Sequence, residues 1–132
     1  MSNWFQKEMK LSDKAFDRIV KRAVARIPEE IRRHLDNLLI SVQRQPSPDM
    51  LEEMGFSPDE SLLGLYAGVS IPERSITSPP LFPDTIFLFQ EPLEAVCETA
   101  EDLEQQIEIT VVHEIAHALG ISEEMLEALG YG

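Results

Sequence analysis

Two histidines four residues apart, with a glutamate directly after the first, are the residues of this chain best suited to chemistry. His113, Glu114 and His117 stand in the stretch TVVHEIAHALGISEE, residues 110–124. Two neutral imidazoles can share one divalent ion, and a carboxylate that does not bind the ion can take a proton from water activated there. On a helix each residue turns about 100°, so His113 and His117 lie about 40° apart and one turn along. Val111, Val112, Ile115, Ala118 and Leu119 then fall broadly on the opposite side. The spacing predicts a helix that buries one face and presents both imidazoles to a cleft, with Glu114 at the border.

A catalytic zinc takes a third protein ligand and keeps one position open. Gly120 lies three residues past His117, where a left-handed turn can stop the helix and reverse the chain. Glu123 follows three residues later and completes HExxHxxGxxE from His113 to Glu123, with a carboxylate at the place where the metzincin pattern has its third histidine. Glu124 is the rival, because a slip of one residue in the turn exchanges the two. Ser122, Glu123 and Glu124 also suit the capped first turn of a last helix, SEEMLEAL, and that role is compatible with ligation by one acid.

Other polar residues carry weaker signals. Tyr131 and Tyr66 can donate a hydrogen bond to an oxyanion, although a tyrosine more often packs and keeps its hydroxyl wet. Arg74 is the one cation in residues 46–132 and can meet a substrate carboxylate or hold the proline-rich loop to Asp84. Met125 reads as core filler, Thr110 as a neighbour of the histidine face, and His34, between arginines, as a surface residue. Cys97 is the only cysteine, which rules out an internal disulfide and leans towards a reducing, cytoplasmic setting.

The elements that must position these groups are legible in outline. Ser12 caps a helix whose apolar residues recur at Phe16, Ile19, Val20, Ala23, Val24 and Ile27, and Pro28 closes it and opens the short helix PEEIRRHL. NLLISVQ, SLLGLYAGVS and TIFLFQ read as strands, the last stopped by Pro92 and expected at a sheet edge, where an extended peptide could add. Gly64 and Gly68 mark a bend or a close backbone approach. PSPDMLEEMGF supplies a turn with some helix, IPERSITSPPLFPD a loop, and EPLEAVCETAED an acidic connection. From about Asp102 to Leu119 the helical period returns. Residues 1–132 read as a single α+β domain.

Charge narrows the function. The net charge is −13, yet residues 1–45 hold ten Lys and Arg against six acids, while residues 46–132 hold one against eighteen. So acidic a body repels phosphate backbones and argues against a nucleic-acid partner. The basic portion is expected to pair with the acidic one or to solvate a helix face. No run is apolar enough to span a membrane, and the start lacks the apolar stretch of a secretory signal.

LLGLYAGVSIPERS, FPDTIFLFQEPLE and above all TVVHEIAHALGISEEMLEALGY resemble the small bacterial zincin-like metallopeptidases, the minimal zincins, related to the Asp-zincins. The resemblance implies a compact zincin-like core: a small mixed sheet packed on an N-terminal helix and an active-site helix, with little or no upper domain. It implies one zinc ion held by His113, His117 and Glu123, with Glu114 as general base; Glu123 stands where the family commonly has Asp. The implied reaction is hydrolysis of peptide bonds, on short or unfolded peptides, with room for a protein partner to complete the cleft. Two alternatives stand beside it. One is a metal-bearing interaction module without activity, which the presence of Glu114 opposes. The other is a metal-dependent RNA hydrolase, which the acidic body opposes.

Overall fold

Helix α1, Asp13–Ala25, begins where Ser12 Oγ accepts a hydrogen bond from Ala15 N at 3.1 Å. In the computed structural model, residues 9–57, 62–68 and 84–131 are described. The 3.6-residue stripe of α1 buries Phe16, Ile19, Val20 and Ala23. Each large apolar side chain removed from water there contributes about 1.5–3 kcal/mol. Pro28 caps the start of α2, Glu29–Arg32, which tightens into a 3₁₀ turn at Arg33–Leu35. His34 is exposed on it, as expected of a surface histidine.

Strand β1, Leu39–Gln43, leads to helix α3, Pro48–Glu53, capped by Ser47, and strand β2 is Gly64–Ala67. Strand β3, Thr85–Phe89, runs straight into helix α4, Gln90–Ala95. Pro92 therefore does not stop the strand; it sits in the first turn of α4, where a missing N–H costs nothing. Helix α5, Ala100–Leu119, and helix α6, Glu123–Ala128, complete the order.

The described strands form one mixed sheet in the order β1-β3-β2. β1 pairs parallel with β3, Leu39 opposite Thr85, and β2 pairs antiparallel with it, Tyr66 opposite Ile86. This corrects the expectation that TIFLFQ forms the edge: β3 is the central strand. The physical reason is visible in its composition, because a strand flanked on both sides and covered reads as a nearly continuous apolar run. Ile86 and Leu88 point into the main core, and the Phe87 and Phe89 rings stack 6.4 Å apart on the other face.

α5 packs on α1 along one side and on β2 and β3 along another. Leu103, Ile107, Val111, Val112 and Ile115 of α5 join Phe16, Ile19, Ile86 and Leu88 in one core. A second tie fastens the start of α1: Glu94 Oε2 accepts from Leu11 N at 2.9 Å and from Gln90 Nε2 at 3.1 Å, and Gln90 Nε2 also donates to Leu11 O at 3.0 Å. Among the described residues no helix is long and apolar enough to cross a membrane.

Candidate metal centre

Helix α5 is built to carry polar residues at its far end. Thr99 Oγ1 accepts from Asp102 N at 3.0 Å, and Glu101 and Asp102 occupy the positive first turn. Its buried face runs through Val111, Val112, Ile115 and Ala116, whereas Ala118 and Leu119 are exposed. The back face therefore ends one turn earlier than its spacing predicts, and the last turn stands clear of the core. His113 and Glu114 are half-buried and His117 is exposed. The two imidazole centres are 6.3 Å apart, with ring planes at 76°.

Glu114 is tied to the sheet: its Oε1 accepts from the backbone N of Tyr66 on β2 at 2.8 Å. β2 reaches α5 because Gly64 has no side chain. A Cβ there would lie 2.6 Å from Thr110 Cγ2 and 3.0 Å from Phe87 O. Thr110 is accordingly a packing residue, buried at the crossing, and its hydroxyl accepts from Gln106 Nε2 at 3.4 Å. Gly68 has a similar role, since a Cβ on it would sit 2.6 Å from Asp84. Asp84 Oδ2 accepts the Tyr66 hydroxyl at 2.7 Å.

Both helix ends beside the site close with the same backbone device. Gly120 (φ +70°) follows α5, with Ile121 N donating to Ala116 O at 2.9 Å and Gly120 N to His117 O at 3.4 Å. Gly130 (φ +92°) follows α6, with Tyr131 N donating to Leu126 O at 2.8 Å and Gly130 N to Glu127 O at 3.0 Å. These are paired Schellman bonds around a left-handed residue, which glycine adopts without a Cβ clash. The first turn sends the chain into α6, where Ser122 Oγ accepts from Met125 N at 3.1 Å and Glu123 and Glu124 form the exposed first turn. The second brings Tyr131 back onto α5.

Tyr131 is buried, 9% exposed, and its hydroxyl donates to Glu108 Oε2. Burial, followed by that bond to a carboxylate, pushes its phenol well above the usual tyrosine range. Its carbonyl oxygen lies 2.9 Å from His113 Nε2. Glu108 is itself 9% exposed, with Oε1 3.1 Å from Arg26 Nε in an ion pair that lacks hydrogen-bond alignment. Arg26, the C-cap of α1, and Arg22 within it also grip Glu104, at 3.0 and 2.8 Å. The hydrogen bond to Glu104, then the charge of Glu108, raises the Arg26 guanidinium, and the two arginines hold Glu104 below the usual carboxylate range. The basic helix thus pairs with the acidic body, as its charge suggested. Glu108 was the partner the sequence reading missed, and its signal was an acid between Ile107 and Ile109 on an otherwise apolar stretch.

Met125 is 53% exposed, so it does not fill the core; Leu126 does. Arg74 lies outside the described residues, as does most of the proline-rich stretch. Among the described residues no three His, Cys, Asp or Glu side chains gather as a metal cluster. The donor types nonetheless suit zinc: two imidazoles on one helix, a carboxylate beside them and two further acids just past the glycine turn.

A model of the zincin-like metallopeptidase family matches residues 35–132, from the end of the 3₁₀ turn through the strands, α5 and α6. The match leaves α1 outside, although α1 packs along α5. No curated protein matches the chain. With about three-quarters of its length covered, α5 and its histidines included, the chain belongs to the zincin-like metallopeptidases.

Proposed function

We propose that the protein is a zinc-dependent peptidase in which His113 and His117 hold one ion and Glu114 is the general base. Family membership suggests zinc-dependent peptide hydrolysis. The observation that carries the residue assignment is the tie of Glu114, the residue after His113: its carboxylate joins α5 to a backbone N–H of β2. Glu123 is the proposed third ligand and Glu124 its alternative, both in the first turn of α6 after Gly120.

Zinc, when bound, polarises a carbonyl and lowers the pKa of its water to about 7. Glu114 takes the proton of the attacking water and delivers it to the leaving nitrogen, so one carboxylate serves both steps. β2 is an edge strand among the described residues and takes over the substrate role expected of β3. A peptide laid along β2 would accept from the same Tyr66 N–H that Glu114 now occupies, so substrate would free the base as it docks. Tyr66, fixed by Asp84, and Arg74 remain the proposed contacts for an oxyanion or a substrate carboxylate.

His117, Leu119, Glu123, Glu124 and Met125 are all exposed, which favours short or unfolded peptides, or a protein partner that supplies the missing wall. That same openness supports a second reading, a metal-bearing interaction module with little activity. The lone cysteine supports a cytoplasmic setting. Nucleic acid is disfavoured by the acidic body.

Glu114→Gln separates the readings. The amide oxygen can still accept from Tyr66 N–H, so the fold and zinc content should persist, while peptide hydrolysis falls about 10²–10⁴-fold. Undiminished hydrolysis with zinc bound removes Glu114 from the role of base. Absence of hydrolysis by the zinc-loaded wild type across broad peptide libraries favours the interaction module.

A further inference from the structure

The geometry points to Tyr131 as a latch on His113 that metal binding must release. This rests on the reading of His113 as a zinc ligand. A backbone carbonyl only accepts hydrogen bonds, so the 2.9 Å contact places the proton of His113 on Nε2, the nitrogen at the far end of the ring. Nε2 is one of the two imidazole nitrogens able to bind a metal, and only a nitrogen without a proton can do so. While Tyr131 holds it, Nε2 has no lone pair to offer a metal, and the two rings stay 6.3 Å apart.

The latch is anchored on three sides. Gly130 turns the chain with φ +92°, Tyr131 N is fixed to Leu126 O at 2.8 Å, and the hydroxyl is fixed to Glu108. Arg26 holds Glu108 in turn, 3.1 Å away, so α1 braces the residue that holds the histidine. A site whose competent form is only partly populated binds with apparent affinity reduced by that fraction. Loosening the anchor therefore tightens metal binding, the reverse of the effect expected if Tyr131 merely supported a ligand.

The experiment compares wild type, Tyr131→Phe and Tyr131→Ala. Tyr131→Phe keeps the ring and loses the bond to Glu108; Tyr131→Ala loses both and also tests the case in which the first is too mild. In the metal-free proteins, ¹⁵N ring shifts should show His113 protonated at Nε2 in wild type and moving towards a tautomer mixture in the variants. Zinc affinity, measured by competition with a chromophoric chelator, should rise about threefold in Tyr131→Phe and about tenfold in Tyr131→Ala. Equal or weaker zinc binding in both variants, or a His113 tautomer that does not respond, overturns the latch and leaves the metal site standing. No zinc binding in any of the three overturns the metal site and the latch together.

Discussion

His113 and His117 share one helix, one turn apart, yet their surroundings differ. His113 is half-buried, with Nε2 on the Tyr131 carbonyl and the neighbouring Glu114 bonded to β2; His117 is exposed, beside an exposed Leu119. Among the described residues, one flank of the site is built from three elements and the other is exposed. Fixed groups belong where geometry must be accurate, and the general base proposed at Glu114 is such a group. Groups left in water are free to close on an ion or a substrate.

The held flank depends most on Gly64. Gly64→Val should cost about 1–3 kcal/mol, read by urea denaturation, because the added atoms meet Thr110 and the Phe87 carbonyl. Gly64→Ala should cost less, and Thr110→Ser should recover part of it by deleting the methyl that stands 2.6 Å from the new Cβ. A neutral Gly64→Val would mean that β2 is not seated on α5 as described.

The two glycine turns sharpen the contrast. Gly120→Ala and Gly130→Ala should each cost about 1–2 kcal/mol, because both positions are left-handed. Their effects on zinc should have opposite signs. Gly120→Ala displaces the acids of α6 and should weaken zinc about tenfold. Gly130→Ala loosens Tyr131 and should tighten it. Chelator competition on both proteins reads the sign directly, and parallel changes would show that the flanks are not distinct.

The brace between α1 and α5 should respond to acid. Arg22 and Arg26 lower the Glu104 carboxyl, so its contribution is complete above the ordinary carboxylate pKa, about 4.3, and is lost as pH falls through the depressed value. Glu104→Gln should flatten the acid limb of a melting-temperature profile and change little at neutral pH, since exposed pairs are weak. Cys97, whose thiol is raised by burial and then by Asp102, should alkylate more slowly at neutral pH than a free cysteine.

Much of the scaffold was readable from residue order. Ser12 and Ser122 cap the helices they were expected to cap, Gly120 ends α5, and each of the three strands lies within its expected stretch. These are local effects, set by spacing and by side chains a few residues apart. The place of TIFLF in the sheet was not readable as an edge, because strand order depends on which chains flank it. Met125, expected to fill the core, leaves that place to Leu126, because a six-residue helix leaves its inward face to be chosen by what it packs on.

The sequence by itself determined that α5 carries two imidazoles and an acid on neighbouring positions, since helical period alone fixes that. Only the tertiary structure decided that Glu114 meets β2, that Glu108 faces Arg26, and that Tyr131 returns to His113 across 18 residues. Those contacts join groups far apart along the chain, and their partners are selected by how the helices and the sheet pack, a choice that no local periodicity encodes.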